Sequence, residues 1–280
     1  MKRVKKMQTI AVSVLMSIYI KEKPEYFIQA MESTIVQTAQ PEEILLVKDG
    51  PLTDELDGII QTYQEKLGNQ LTVISLEKNQ GLGIALAIGV EKCRNSLIAR
   101  MDTDDIMVKK RLEIQYQEFL KNNDLTILGS NIIEFEGTPD NELARKSMPE
   151  SDEQVRKFST RRNPFNHMTV MFKKQAVIEA GNYLPLPGFE DYYLWVRLLK
   201  RGNQGQNLPE YLVYARTGLD MYNRRGGLKY LLPGIEARRK IYQDGLGSLG
   251  DFLTVSVFHT VICIMPNKLR GLIYKRMLRK

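Results

Sequence analysis

Apolar residues in the first hundred positions fall into short dense runs separated by amphipathic stretches. Thr9–Ile18 is nearly continuously apolar, which predicts a central parallel strand covered on both faces. Pro24 suits the first turn of a helix, with Phe27, Ala30, Met31, Thr34 and Ile35 at helical spacing, and Pro41 is expected to end that segment. Ile44–Val47 predicts a second buried strand, running into Lys48-Asp49-Gly50-Pro51. Thr53 is placed to cap a third element reaching Leu67, with Asp54 and Glu55 favourable in its first turn. Leu71–Leu76 reads as the third strand, and the loop Asn79-Gln80-Gly81-Leu82-Gly83 leads into a helix through Cys93. The order β-α-β-α-β-α-β with short connections predicts a doubly wound α/β sheet.

A fourth apolar run, Leu97-Ile98-Ala99, passes through Arg100-Met101 into Asp102-Thr103-Asp104-Asp105. Parallel strands point the same way, so Ser17, Asp49 and the Asp102/Asp104 pair are expected to converge in the crevice at the carboxyl ends of the strands. Carboxylates this crowded call for a positive charge between them. Oxygen ligands without thiols or paired histidines favour Mg²⁺ or Mn²⁺, a metal–diphosphate site. The plainer alternative is a solvated acidic turn with Asp104 or Asp105 capping the next helix. The Gly81-x-Gly83 pair can bring backbone amides to a phosphate or can form an ordinary tight turn. It lacks the third glycine of a dinucleotide fingerprint, and no Walker-type Gly-Lys-Ser/Thr is present.

The second half is more mixed. Val108–Lys121 predicts an amphipathic helix with Leu112, Tyr116, Phe119 and Leu120 on its apolar face, and Thr126–Phe135 a strand. A polar loop, Asn163-Pro164-Phe165-Asn166-His167, runs into a short apolar strand; His167 is either a ligand contact or a structural loop histidine. Glu190 and Asp191 open a helix whose Leu194, Val196, Leu198 and Leu199 are expected to be buried. An acid there is either a helix cap or a general base held at a cleft.

Charge changes the picture only at the end of the chain. Residues 221–280 carry 12 Lys and Arg against 3 Asp and Glu, whereas residues 1–220 carry 28 against 30. The basicity belongs to a tail, which argues against a nucleic-acid-binding core. Phe252–Met265 is apolar but too short to span a bilayer. The residues after it interleave Lys and Arg with Leu, Ile, Tyr and Met, which suits either a helix lying in the headgroup region or one packed on the protein itself. Two cysteines far apart, Cys93 and Cys263, form no framework and suit a reducing cytoplasm. The basic start before Ile10–Ile20 lacks a cleavage pattern, so it reads as leading into a strand rather than as a signal peptide.

Taken in order, these pieces resemble a family 2 glycosyltransferase of the GT-A fold, in the branch of amylovoran, exopolysaccharide, capsule and O-antigen transferases. The matching residues are Val12–Ser17, Glu43–Gly50, Asn79–Gly83, Ala99–Asp105, Asn163-Pro164 with His167–Val170, and Glu190-Asp191-Tyr192 with Leu194-Trp195. The resemblance implies a GT-A domain over residues 1–220 and a basic, amphipathic helical extension over 221–280. The domain divides into a nucleotide-sugar half near 1–110 and an acceptor half near 111–220. It also implies donor contacts from Ser17, Tyr19, Asp49, Gly81, Gly83, Asp102, Asp104 and Asp105. Asp102 and Asp104 would form the DxD pair on Mn²⁺ or Mg²⁺, with Asp104 the direct ligand. Asp191 would be the base, with Glu190 next in line, and His167 and Trp195 would lie on the acceptor side. The implied activity is inverting transfer of a hexose or N-acetylhexosamine from a nucleotide sugar, a UDP-sugar first, to a lipid-linked saccharide at the inner face of the cytoplasmic membrane. A nucleotidyltransferase and a non-catalytic nucleotide-sugar-binding scaffold are the alternatives; the former normally needs a basic glycine-rich loop that Ser17–Pro24 does not supply.

Overall fold

The computed structural model describes residues 8–217, 227–244 and 246–265. Its centre is β1 (Gln8–Ile18), which runs parallel to β2 (Ala39–Lys48) on one side and to β4 (Leu97–Arg100) on the other. β3 (Leu71–Ser75) lies parallel outside β2. The connecting helices are α1 (Pro24–Ile35), α2 (Asp54–Leu67) and α3 (Leu82–Lys92). This is the predicted alternation, and the local signals act as expected. Pro24 occupies the first turn of α1, and the Thr53 side chain accepts the Leu56 amide at 3.3 Å.

Beyond β4 the sheet becomes mixed. β8 (Met171–Lys173) runs antiparallel to both β4 and β6 (Leu125–Phe135). β9 (Gln204–Arg216) is parallel to β6, β5 (Ile106–Met107) is antiparallel to β9, and β7 (Glu142–Lys146) pairs antiparallel with β6. Every residue of β6 is buried, as befits a strand with neighbours on both edges and cover on both faces. The strand order is β3-β2-β1-β4-β8-β6-β9-β5.

Alternate residues of β1 feed two cores. Val12, Val14, Met16 and Ile18 pack with Phe27, Met31, Leu56 and Leu112 on one side. Leu15 faces the other, with Leu86, Val90, Trp195 and Leu198. The first side holds α1, α2 and α4 (Arg111–Lys121); the second holds α3, α5 (Asp152–Ser159), α6 (Lys174–Glu179) and α7 (Glu190–Lys200). A third, smaller cluster joins Phe189, Tyr192 and Val196 to Ala237 and Ile241 of α8 (Leu228–Gln243). Against α8 lies α9 (Leu249–Ile264), opened by the capping box of Ser248 and Asp251. The boundary expected at residue 220 and the basic residues after Met265 lie outside the described residues.

Two expectations change. Pro41 does not close a helix; it lies inside β2, opposite Ile10, where the β1 register shifts and β3 has not yet begun to pair. A residue without an amide donor is tolerated at such an irregular point of the ladder. Helix α4 starts at Arg111 rather than Val108, because the Val108 amide still bonds Leu212 O of β9. Leu120 consequently faces solvent at 59% exposure, and Gln115 turns inward, its amide spanning Leu128 O and Thr169 O.

Candidate active site

The parallel register brings the strand ends together. Ser17 is paired with Val47, the Asp49 amide bonds Ile18 O at 2.8 Å, and the Met101 amide bonds Leu15 O at 3.0 Å. Ser17 is half-buried at this edge and Tyr19, just beyond it, is exposed. Asp102, Asp104 and Asp105 each offer a carboxylate oxygen, and these oxygens lie within 4.8 Å of one another. Such mutual proximity disfavours ionisation of all three. Burial, then Asp102 and Glu22, push Asp104 up to about 7, and burial with Asp104 and Asp102 holds Asp105 well above the usual carboxylate range.

Several residues that sequence reading did not assign to the site hold this cluster in place. The guanidinium of fully buried Arg100 pairs with the Asp102 carboxylate and the Met101 carbonyl, leaving its Nε–H unpartnered. Thr103 donates to Glu22. Arg216, at the end of β9, donates from Nε to Asp104 O at 2.9 Å, and its backbone amide bonds the Asp105 carboxylate at 2.6 Å. Its guanidinium also lies over the Tyr26 and Phe135 rings, at 3.9 and 4.5 Å from their centroids, an arrangement that favours a cation. Asp105 therefore ties the acidic loop to β9.

Asp49 organises the neighbouring loop. Its buried carboxylate accepts the Gln80 amide at 2.7 Å, the Gly81 amide at 3.0 Å and Asn79 Nδ2 at 3.0 Å. Gly50 is required beside it, since φ is +91° and a Cβ would stand 2.6 Å from Asn79 N. Gly81 caps α3 with φ +90°. Gly83 serves a different contact: a Cβ there would meet Leu184 O at 3.1 Å and Glu190 Cβ at 3.4 Å. The first turn of α3 thus sits directly against the first turn of α7.

That turn carries the two candidate bases. Glu190 is buried, and its carboxylate accepts the Phe189 amide at 3.0 Å, so it caps its own helix. Burial, then Asp191, raise its pKa. Asp191 is partly exposed and accepts Asn163 Nδ2 at 2.6 Å through Oδ2. Beside it, His167 Nε2 lies 3.0 Å from Tyr183 Oη. Burial, then Arg100, push His167 down to about 4, while Asp191 and Asp102 both act on it in the opposite sense. Asp191 and Asp102 likewise act together on Tyr183. Asp191 and Asp102 thus both act electrostatically on one His167–Tyr183 pair.

Trp195 requires correction. It is fully buried, packed among Phe165, Phe172, Tyr183 and His167, and no acceptor can reach it. The helical repeat that makes Leu194, Leu198 and Leu199 core residues carries Trp195 inward with them.

A mixed α/β sheet with an acid cluster and a glycine loop at its parallel strand ends belongs to the class of open α/β folds that take ligands at that edge. The profile of Glycosyl transferase family 2 matches residues 13–179. A UDP-Gal:alpha-D-GlcNAc-diphosphoundecaprenol beta-1,3-galactosyltransferase of Escherichia coli is 36% identical over 96% of this chain and 96% of its own length. The amylovoran biosynthesis glycosyltransferase AmsE of Erwinia amylovora is 37% identical over 94% of this chain and 98% of its own. The chain belongs to glycosyltransferase family 2. Among solved structures, S. aureus TarS 1-349 in complex with UDP-GlcNAc superposes with a TM-score of 0.67 at 16% identity, covering 96% of this chain and 77% of that one. The mannosyltransferase PcManGT of Pyrobaculum calidifontis, in complex with GDP-Man and Mn²⁺, gives 0.64 at 13% identity, covering 93% and 71%. The fold is GT-A.

The environment of His167 has a measurable consequence. The folded chain keeps this ring neutral down to about pH 4, whereas the unfolded chain takes up the proton near 6.5. Between those values the unfolded state binds more protons, so stability is complete above pH 6.5 and declines as pH falls toward 4. His167→Gln is expected to flatten that part of the curve of unfolding free energy against pH, measured by urea denaturation.

Proposed function

We propose that this chain is an inverting transferase. In this reading it moves a hexose or N-acetylhexosamine from a nucleotide sugar, a UDP-sugar first, to a lipid-linked saccharide of bacterial surface polysaccharide. The observation that carries the proposal is that the parallel strand ends gather the carboxylates of Asp102, Asp104 and Asp105 within 4.8 Å of one another, while the first turn of α3, which follows the glycine loop, packs against the turn that bears Glu190 and Asp191. The donor and acceptor named for the Escherichia coli relative support the substrate class.

The donor set of Asp102 and Asp104 fits a hard divalent cation. Their oxygens are close enough to share one, and a cation there would offset the mutual repulsion of crowded carboxylates. Mn²⁺ or Mg²⁺ held there, with Asp104 the direct ligand, would supply charge stabilisation for a departing nucleoside diphosphate. Ser17, Tyr19, Gly81 and the backbone of Gly83 frame the donor, and Asp49 presets the loop that receives it. Asp191 takes the proton from the acceptor hydroxyl, whose oxygen attacks the anomeric carbon opposite the leaving group and inverts it. His167, neutral and bonded to Tyr183, lines the space between the two substrates.

The chain's end supports a place at a membrane surface. Among the described residues no helix is long and apolar enough to cross a membrane. On α9, Val257, Phe258 and Ile264 are 62%, 60% and 71% exposed. The segment 221–280 that contains them is strongly basic. An apolar face with basic neighbours suits an anionic headgroup layer.

Three outcomes test this reading. Asp104→Asn is expected to abolish the Mn²⁺-dependent part of UDP-sugar binding, measured by calorimetry with and without EDTA. Asp191→Asn is expected to retain donor affinity while transfer, followed as UDP release with a lipid-linked acceptor, falls by about 10²-fold or more. A scaffold without turnover would give no UDP from the parent protein either. Replacing Val257 and Phe258 together by Asp is expected to prevent co-flotation with anionic vesicles while leaving transfer to a short-chain soluble acceptor unchanged.

A further inference from the structure

We infer that Asn163 is the positioning residue for the base, holding one oxygen of Asp191 so that the other is presented to the acceptor hydroxyl. The inference rests on the reading of Asp191 as the base and adds a part that the sequence left unassigned. Asn163 Nδ2 donates to Asp191 Oδ2 at 2.6 Å. Among the described residues Oδ1 takes no hydrogen bond, nor is it among the buried unpartnered atoms. The amide of Asn163 is itself oriented, because its Oδ1 accepts the Phe165 amide at 3.3 Å and so leaves the NH₂ end for the carboxylate.

The loop that carries Asn163 is anchored well away from α7. Pro164 O accepts Asn207 Nδ2 of β9 at 3.1 Å, and Asn166 Nδ2 donates to Ser130 O of β6 at 3.0 Å. Thr169 Oγ1 donates to Asn166 O at 2.8 Å and accepts the Ser130 amide at 3.0 Å. Phe165 meets the buried Trp195 edge-on, with ring centroids 5.9 Å apart. Asn163 is thus a fixed post built on β6 and β9, against which the first turn of α7 places its carboxylate. A neutral donor is chemically apt. It favours the ionised carboxylate without an opposing full charge, which would make Asp191 a weaker proton acceptor.

The charged and titratable groups around Asp191 are Glu190 on its own helix, His167 in the loop and Tyr183 in the segment before α7; Arg100 and Asp102 act on the latter two. None is altered by changing Asn163, so a shift in the proton-transfer limb reports the lost bond.

The test compares pH profiles of kcat for the full chain, Asn163→Ala and Asn163→Asp, with UDP-sugar and a lipid-linked acceptor. Asn163→Ala is expected to move the acid limb upward by about one pH unit, roughly a tenfold loss of kcat below that limb. Donor KM and UDP affinity are expected to stay unchanged. Asn163→Asp is expected to move the limb further, since it sets a second carboxylate against the first. A lower kcat with the acid limb in place, or an unchanged kcat, would overturn the inference. Should Asn163→Ala fail to fold by circular dichroism, Asn163→Ser replaces it with the same two outcomes. Asp191→Asn is run alongside: if it retains transfer, the reading of Asp191 as base has failed and the inference falls with it. If it is inactive while the acid limb ignores Asn163, only the role of Asn163 is lost.

Discussion

Like charges crowded at the end of one strand set the terms for everything around them. Three carboxylates within bonding distance of a common point repel one another. The protein restrains them from three directions. Arg100 holds Asp102 from beneath, Glu22 engages Thr103, and Arg216 secures Asp104 and Asp105 through one carbonyl and one amide. The outcome is a crowded acidic loop in which one carboxylate is paired with an arginine and the backbone is tied to β9. Neither arginine can leave its place cheaply: Arg100 is fully buried, and the Arg216 guanidinium is shared among Gln29 Oε1, Gly137 O and Asp104 O.

The other side of the site is organised differently. Asp191 is bonded by a neutral asparagine amide, and nearby a histidine held uncharged by its surroundings pairs with a tyrosine hydroxyl. One half therefore concentrates charge, while the other is ordered largely by uncharged groups. Gly83 lets these halves meet, since a side chain there would separate α3 from α7.

How far the sequence disclosed this depended on the range of the interaction. Runs of Val, Ile and Leu, the proline at the start of α1 and the threonine before α2 are local signals, and the elements they mark form as expected. Asp102, Asp104 and Asp191 were visible because an acid at a strand or helix end is conspicuous. Arg216 was not, because it lies 111 positions from the carboxylate it binds and nothing near it in sequence points there. Arg100 was passed over as a strand residue, although its place between an apolar run and an aspartate was a usable clue. Trp195 misled in the opposite direction: the family resemblance set it on the acceptor side, yet it shares the helix with buried Leu194, Leu198 and Leu199 and lies in the core with them.

The helices that follow β9 give this arrangement one more property. Phe189, two places before Asp191, is held edge-on by the His259 ring at 6.3 Å and faces the Arg238 guanidinium at 5.3 Å. His259 in turn fills the space that Gly234 leaves by having no side chain. A close-packed interior transmits small displacements instead of absorbing them. The outermost helix is thus joined by continuous packing to the residue that opens α7.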